Sequence, residues 1–212
     1  LIYVSTEIKR EEIFTFKQMH LKIQEMAAVF VSLGVRKGDR IIVYMPMIPE
    51  GVFAMLACAR IGAIHSVVFA GFSAKSLSDR INDASCKLLI TSDGGFRGGK
   101  VTPLKDISDE AMQNSSSIKK CIVLKRTGKN VSMDKTRDVW WHEEMEDTES
   151  ECTIEIMDSE DPLFILYTSG STGKPKGIQH STAGYMVYTE YSFRNVFQYK
   201  EGDVYWCTAD IG

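Results

Sequence analysis

The sequence has 212 residues, 44% of them apolar and 10% aromatic, which is enough to bury a sizeable core and too rich in rings for a disordered chain. A formal charge of -3 with scattered Lys and Arg provides no basic footprint for nucleic acid or an anionic membrane surface, and no apolar run reaches the roughly 18 residues of a transmembrane helix. Five widely spaced cysteines without a C-x-x-C pair argue against a disulfide framework or zinc site and read as reduced thiols of a cytoplasmic compartment.

Two apolar stretches, Ile2 to Val4 and Ile13 to Phe16, suit a short antiparallel pair. Thr15 is placed to cap a helix whose Met19, Ile23, Met26, Ala27 and Phe30 fall on one face. Gly34 sits where that helix ends. Arg40 to Met45 is a short, β-rich apolar run and reads as a buried strand. Pro49 suits a helix start, with Gly51 to Ile61 as the helix and Gly62 as its stop. Ile64 to Phe69 is the next strand, Ser73 to Cys86 the next helix and Lys87 to Thr91 a third strand. Strand and helix thus alternate at short intervals, which calls for an α/β fold with a mostly parallel sheet flanked by helices.

Thr91 to Thr102 reads as a Gly-rich loop containing Gly94, Gly95, Gly98 and Gly99. From Glu143 to Asp161 there are ten acidic residues and no basic one, the pattern of a solvated surface excursion, because like charges repel and stay wet. No metal-ligand spacing occurs within it.

Tyr167 to Gly177, YTSGSTGKPKG, carries the most chemistry. It leaves an apolar run, Leu163 to Tyr167, that reads as a buried strand. Its three glycines let the backbone turn N–H groups inward into a nest for anions. Hydroxyls of Thr168, Ser169, Ser171 and Thr172 and the charges of Lys174 and Lys176 complete the requirements for a polyphosphate. It is not a Walker A loop: Pro175 follows Gly173-Lys174 where that motif needs Ser or Thr, and proline disfavours the helix into which a Walker loop opens.

These eleven positions resemble the phosphate-binding signature of the adenylate-forming superfamily. Two further segments, YMPMIPEGVFAMLACARIGAIHSVVFAGFSAKSLSDRI (Tyr44 to Ile81) and DVYWCTADIG (Asp203 to Gly212), are similar to its short-chain branch, the acetyl-CoA and propionyl-CoA synthetases. The resemblance runs over nearly the whole chain and is weakest between Asp106 and Asp161. It implies that the chain is a partial N-terminal domain, residues 1–212, of an acetate:CoA ligase (AMP-forming), with the C-terminal domain absent and both ends reading as cuts. Such a ligase joins acetate to the α-phosphate of ATP and passes the acetyl group to CoA, with Mg²⁺ assisting. The stretch alone is expected to be inactive. Propionate is the alternative acid, and a non-catalytic ATP- or CoA-binding module the alternative class; the oligomeric state is left open.

Residue by residue, the resemblance implies that Thr168, Ser169, Gly170, Ser171, Thr172 and Gly173 wrap the β- and γ-phosphates of ATP and that Lys174 or Lys176 neutralises them. It also implies that Arg97, Gly98, Gly99 and Lys100 grip the 3′-phosphate end of CoA, with Phe69 and Gly71 lining the same nucleotide. Ala70 stands where a glycine is frequent. Trp206, Thr208 and Asp210 match the family's pattern, Trp206 as a core aromatic. His65 is read as a satisfied core or surface histidine, His180 follows the phosphate segment and matches the family's pattern, and no catalytic residue is assigned.

Overall fold

The computed structural model describes residues 1–148, 151–168 and 175–211. The chain opens on an antiparallel hairpin, β1 (Ile2–Ser5) and β2 (Arg10–Ile13), with Ile2 opposite Ile13. Thr15 then starts helix α1 (Phe16–Ser32) through a capping box: its hydroxyl accepts from the Gln18 amide at 3.2 Å while the Gln18 side chain accepts from the Thr15 amide at 2.8 Å. The expected apolar face forms, with Met26, Ala27 and Phe30 fully buried. Gly34 follows the helix with φ +88°, the left-handed turn its position suggested.

The α/β alternation is as expected, each boundary falling within two residues or so of its sequence reading. Strand β3 (Arg40–Val43) leads through α2 (Pro49–Arg60) to β4 (Ile64–Val67), and then through α3 (Ala74–Ala84) to β5 (Leu88–Ser92). A small hairpin, β6 (Gly95–Arg97) and β7 (Lys100–Thr102), precedes α4 (Leu104–Gln113). Strands β8 (Lys120–Leu124) and β9 (Asp138–Trp140), helix α5 (Trp141–Asp147), strands β10 (Pro162–Thr168) and β11 (Lys176–Ser181), and helix α6 (Thr182–Asn195) follow. Among the described residues the main sheet has seven strands in the order β11-β10-β4-β3-β5-β8-β9. All neighbours pair in parallel except β10 and β11.

Strand alternation sorts the core into two layers. Ile41, Val43, Leu88 and Ile90 pack under α1, α2 and Trp141 of α5, while Ile42, Tyr44 and Leu89 face α3 and α4 on the opposite side. Because both faces are covered, these strands are apolar throughout instead of alternating with polar residues. The chain runs from β3 outward to β4 and then returns across β3 to β5, with α2 and α3 on opposite faces. Loops at the carboxyl ends of β3 and β5 therefore diverge, and a crevice opens between them.

Two sequence readings need correction. The segment Thr91 to Thr102 is not a loop: it holds the end of β5 and the β6–β7 hairpin. Gly98 and Gly99 take φ +56° and +74°, the pair of left-handed residues that a two-residue hairpin turn requires, so these glycines close strands instead of loosening them. The acidic stretch is only partly an excursion, because its first turn and a half is helical in α5. Beyond it, the chain is tied to the body by Arg60 donating to the Cys152 carbonyl at 2.7 Å and by a Lys37–Asp161 ion pair at 2.9 Å.

All five cysteines are free, and Cys58, Cys86 and Cys121 are buried. Burial holds the Cys86 thiol up at about 12 and so keeps it protonated and unreactive. No helix among the described residues is long and apolar enough to cross a membrane.

Candidate functional site

The crevice at the carboxyl ends of β3, β4, β5 and β8 encloses about 290 Å³ and is lined by Met45, Phe69, Phe96, Arg97 and Arg126 among others. Its walls are set from the core outward. Tyr44, fully buried at the end of β3, donates its hydroxyl to the Phe72 carbonyl at 2.7 Å and to that of Ala70 at 3.3 Å. The turn after β4 is thereby pinned, and the Ala70 carbonyl faces the tyrosine. Burial pushes the Tyr44 phenol up to about 12, so it stays a donor.

Phe69, Gly71 and Arg97 form one cluster. The Arg97 guanidinium lies 4.7 Å from the centre of the Phe69 ring, within cation–π range. A Cβ at Gly71 would overlap the Phe69 ring edge and lie 2.9 Å from Arg97 Nη1, so only glycine leaves this contact room. Gly98 and Gly99 form the β6–β7 turn, and Arg97 and Lys100 are the register pair flanking it. Of the six residues that the resemblance connects with CoA, four thus form one hairpin tip, two of them cations, and Phe69 and Gly71 of the turn after β4 meet it at Arg97. The tip already interacts with a carboxylate: the Gly98 amide donates to Glu7 Oε1 at 2.8 Å.

Sequence reasoning missed Arg126, Asp93 and Glu7. Asp93 is fully buried, and its carboxylate accepts from the amides of Arg126 at 2.8 Å, Thr127 at 2.9 Å and Gly128 at 2.7 Å. This folds the turn after β8 so that Arg126 reaches the crevice, where it donates to the Tyr3 hydroxyl at 2.8 Å and lies 6.0 Å from the Phe96 ring. The available signal was LKRTGK directly after an apolar strand, a cation and glycine in the place that Arg97 and Gly98 occupy after β5.

For the phosphate segment the structure shows the stem. Thr168 ends β10 and pairs in register with Lys176, the first residue of β11. Ser169, Gly170, Ser171, Thr172, Gly173 and Lys174 lie outside the described residues. The stem is anchored to α3, since the Tyr167 hydroxyl donates to Asp83 Oδ2 at 2.7 Å. The segment continues as an antiparallel strand, in keeping with the absence of a Walker-type helix.

Two packing readings change. Among the described residues Trp206 is 82% exposed and outside the core that they form, since residues 203–211 make no strand. His65 is not satisfied, because its Nδ1 is buried without a hydrogen-bond partner. Burial lowers its pKa to about 4, so it is neutral at pH 7. Phe164 stacks on His180 with ring centres 4.5 Å apart and lies 5.4 Å from the His65 ring; both histidines pack across the sheet.

A family model described as AMP-binding enzyme matches residues 2–212. The chain belongs to this family. Acetyl-coenzyme A synthetases of Desulfatibacillum aliphaticivorans and Rubrobacter xylanophilus are each 55% identical to it over all of its 212 residues, which are 33% of theirs. The structure of acetoacetyl-CoA synthetase from Streptomyces lividans superposes with a TM-score of 0.86 at 29% identity, over 95% of this chain and 30% of that one. The chain therefore spans about a third of the curated relatives it matches. In this AMP-binding family member, the mostly parallel sheet flanked by helices corresponds to a portion of the acyl-CoA synthetase fold.

Proposed function

We propose that this stretch belongs to the N-terminal domain of an AMP-forming acetate:CoA ligase, an enzyme whose substrates are acetate, ATP and CoA. Its acetate oxygen attacks the α-phosphorus of ATP, pyrophosphate leaves, and the sulfur of CoA then displaces AMP from the acetyl carbon. Both steps handle polyanions, so the protein must supply fixed donors and positive charge where phosphate charge lies. The observation that carries the reading is the hairpin tip, where Arg97 and Lys100 flank a two-glycine turn at the mouth of a switch-point crevice.

On this reading Arg97 holds the 3′-phosphate of CoA, since a guanidinium can pair two phosphate oxygens at once, and Lys100 adds a point charge beside it. Phe69 supports the guanidinium from below. Thr168 and Lys176, with Ser169, Gly170, Ser171, Thr172, Gly173 and Lys174, hold the β- and γ-phosphates of ATP. Among the described residues no three His, Cys, Asp or Glu side chains converge as a metal set. Mg²⁺, where it accompanies the nucleotide, would help to neutralise the phosphate charge. The similarity to enzymes named acetyl-coenzyme A synthetase supports acetate over propionate.

Acetate-dependent ATP–pyrophosphate exchange by the natural full-length protein tests the proposal. Exchange with acetate exceeding that with propionate or acetoacetate, and lowered about 10-fold or more in Lys176→Ala by loss of a charge-assisted contact, is the expected result. The 212-residue stretch alone should give none. Absence of exchange with all three acids would leave a nucleotide-binding module instead of a ligase.

A further inference from the structure

We infer that a stack of cations and aromatic rings, Arg97–Phe69–Phe72–Arg80–Tyr167, joins the two substrate segments, and that Phe72 and Arg80 are positioning residues for both. The inference rests on the reading of those segments given above. Neither Phe72 nor Arg80 belongs to the phosphate signature or to the hairpin tip.

The contacts are continuous. Arg97 lies 4.7 Å from the centre of the Phe69 ring. Phe69 meets Phe72 edge to face with centroids 5.6 Å apart and planes at 86°, the arrangement in which the positive ring edge meets a negative face. The Arg80 guanidinium lies 4.9 Å from the Phe72 ring centre and 5.4 Å from that of Tyr167. Arg80 is only 6% exposed, and its Nη1 donates to the Ser76 carbonyl and hydroxyl, both at 2.7 Å. It is held to its own helix through neutral oxygens while its cationic plane is shared between two rings. The middle of the stack and its Tyr167 end are held as well: Tyr44 holds the Phe72 carbonyl and Asp83 holds the Tyr167 hydroxyl.

The two outer members most need this support. Arg97 is exposed at a turn tip, where a free guanidinium samples many rotamers and loses them on binding phosphate. A ring face beneath it restricts that sampling in advance. Tyr167 is the penultimate residue of β10, one position before Thr168, so its ring helps to fix the stem at which Thr168 pairs with Lys176. Contiguity by itself is not coupling. Here the shared element is Arg80, whose guanidinium contacts the Phe72 and Tyr167 rings at once.

The test is steady-state kinetics of the natural full-length protein and its Phe72→Leu, Phe72→Tyr, Arg80→Lys and Arg97→Gln variants, with ATP, CoA and acetate varied separately. Phe72 is 37% exposed, so Phe72→Leu should fold, and Arg80→Lys provides a second break that keeps the charge but loses the plane. Phe72→Leu and Arg80→Lys should each raise the KM for ATP and for CoA about 2- to 5-fold, the size of one lost cation–π contact, with the KM for acetate unchanged. Phe72→Tyr, which keeps the ring, should restore both values. A rise for only one nucleotide substrate, an equal rise for acetate, or no rescue by tyrosine would overturn the inference. If Arg97→Gln leaves the KM for CoA unmoved, the CoA reading of the hairpin fails first and the stack falls with it.

Discussion

At Gly71 the requirement is space, not backbone freedom. Its φ lies outside the left-handed region, yet a methyl group there would meet the Phe69 ring and the Arg97 guanidinium. Both neighbours are side-chain ends at a crevice wall, so they would yield while the fold stays intact. Gly71→Ala should therefore displace Arg97 and raise the KM for CoA about 10-fold, the loss expected of a weakened charge-assisted contact. Its melting temperature should move by about 2 °C or less. A large drop in melting temperature with an unchanged KM would make Gly71 a packing glycine and separate Arg97 from CoA. Gly98 and Gly99 present the opposite case: nothing lies within 4 Å of an added Cβ, but their positive φ values strain any β-carbon.

Among the secondary-structure elements, α4 and β9 are joined by an unusually dry set of charges. The Lys105 and Asp138 side chains are fully buried and 2.8 Å apart, and Arg137 completes the set with Nε 2.6 Å from Asp138 Oδ1 and Nη2 2.8 Å from Asp109. Burial by itself would raise the Asp138 pKa, but hydrogen bonds from Arg137 and Lys105 outweigh it and hold the carboxyl below its usual value. Asp138→Asn leaves the buried Lys105 short of a partner and should cost about 3 kcal/mol, a drop of roughly 6–12 °C in melting temperature. Because the folded pKa is depressed, the natural protein's advantage should be full above about pH 4 and should shrink as pH falls further, through the folded value. An advantage that grew on acidification would contradict this assignment. Such elements were hard to read in sequence. Strands β3 to β5 were legible because both of their faces are buried, and because α2 starts at a proline and stops before Gly62 while α3 is capped by Ser73. Strand β11, KGIQHS, is an exposed edge with no apolar alternation, and α6 has no buried residue to set a helical period. The three-residue strands β6 and β7 are too short for any period to register.

Across the whole molecule, the crevice is assembled by partners far apart in sequence, which is why only half of it was legible. Local spacing revealed the Arg97–Lys100 tip, since glycines and cations stand next to each other there. It could not reveal Asp93, whose partners are backbone amides 33 to 35 residues onward, or Glu7, whose partner lies 91 residues away. Glu7 is also where the N-terminal hairpin, a sheet separate from the main one, touches the hairpin tip. Its carboxylate accepts the turn amide beside Arg97 and Lys100 and so holds the place of an anion at the tip. A CoA phosphate arriving there must displace this carboxylate or bind beside it against like-charge repulsion, worth up to about 1 kcal/mol at contact distance in water. Glu7→Gln keeps the acceptor and removes the charge. It should lower the KM for CoA about 2- to 5-fold at low ionic strength, with the gain fading as salt rises and screens the site. Dephospho-CoA, lacking the 3′-phosphate, should show little of this gain. An equal gain for both thiols would move the phosphate away from the tip, and no gain for either would mean that Glu7 anchors the N-terminal hairpin without opposing the ligand.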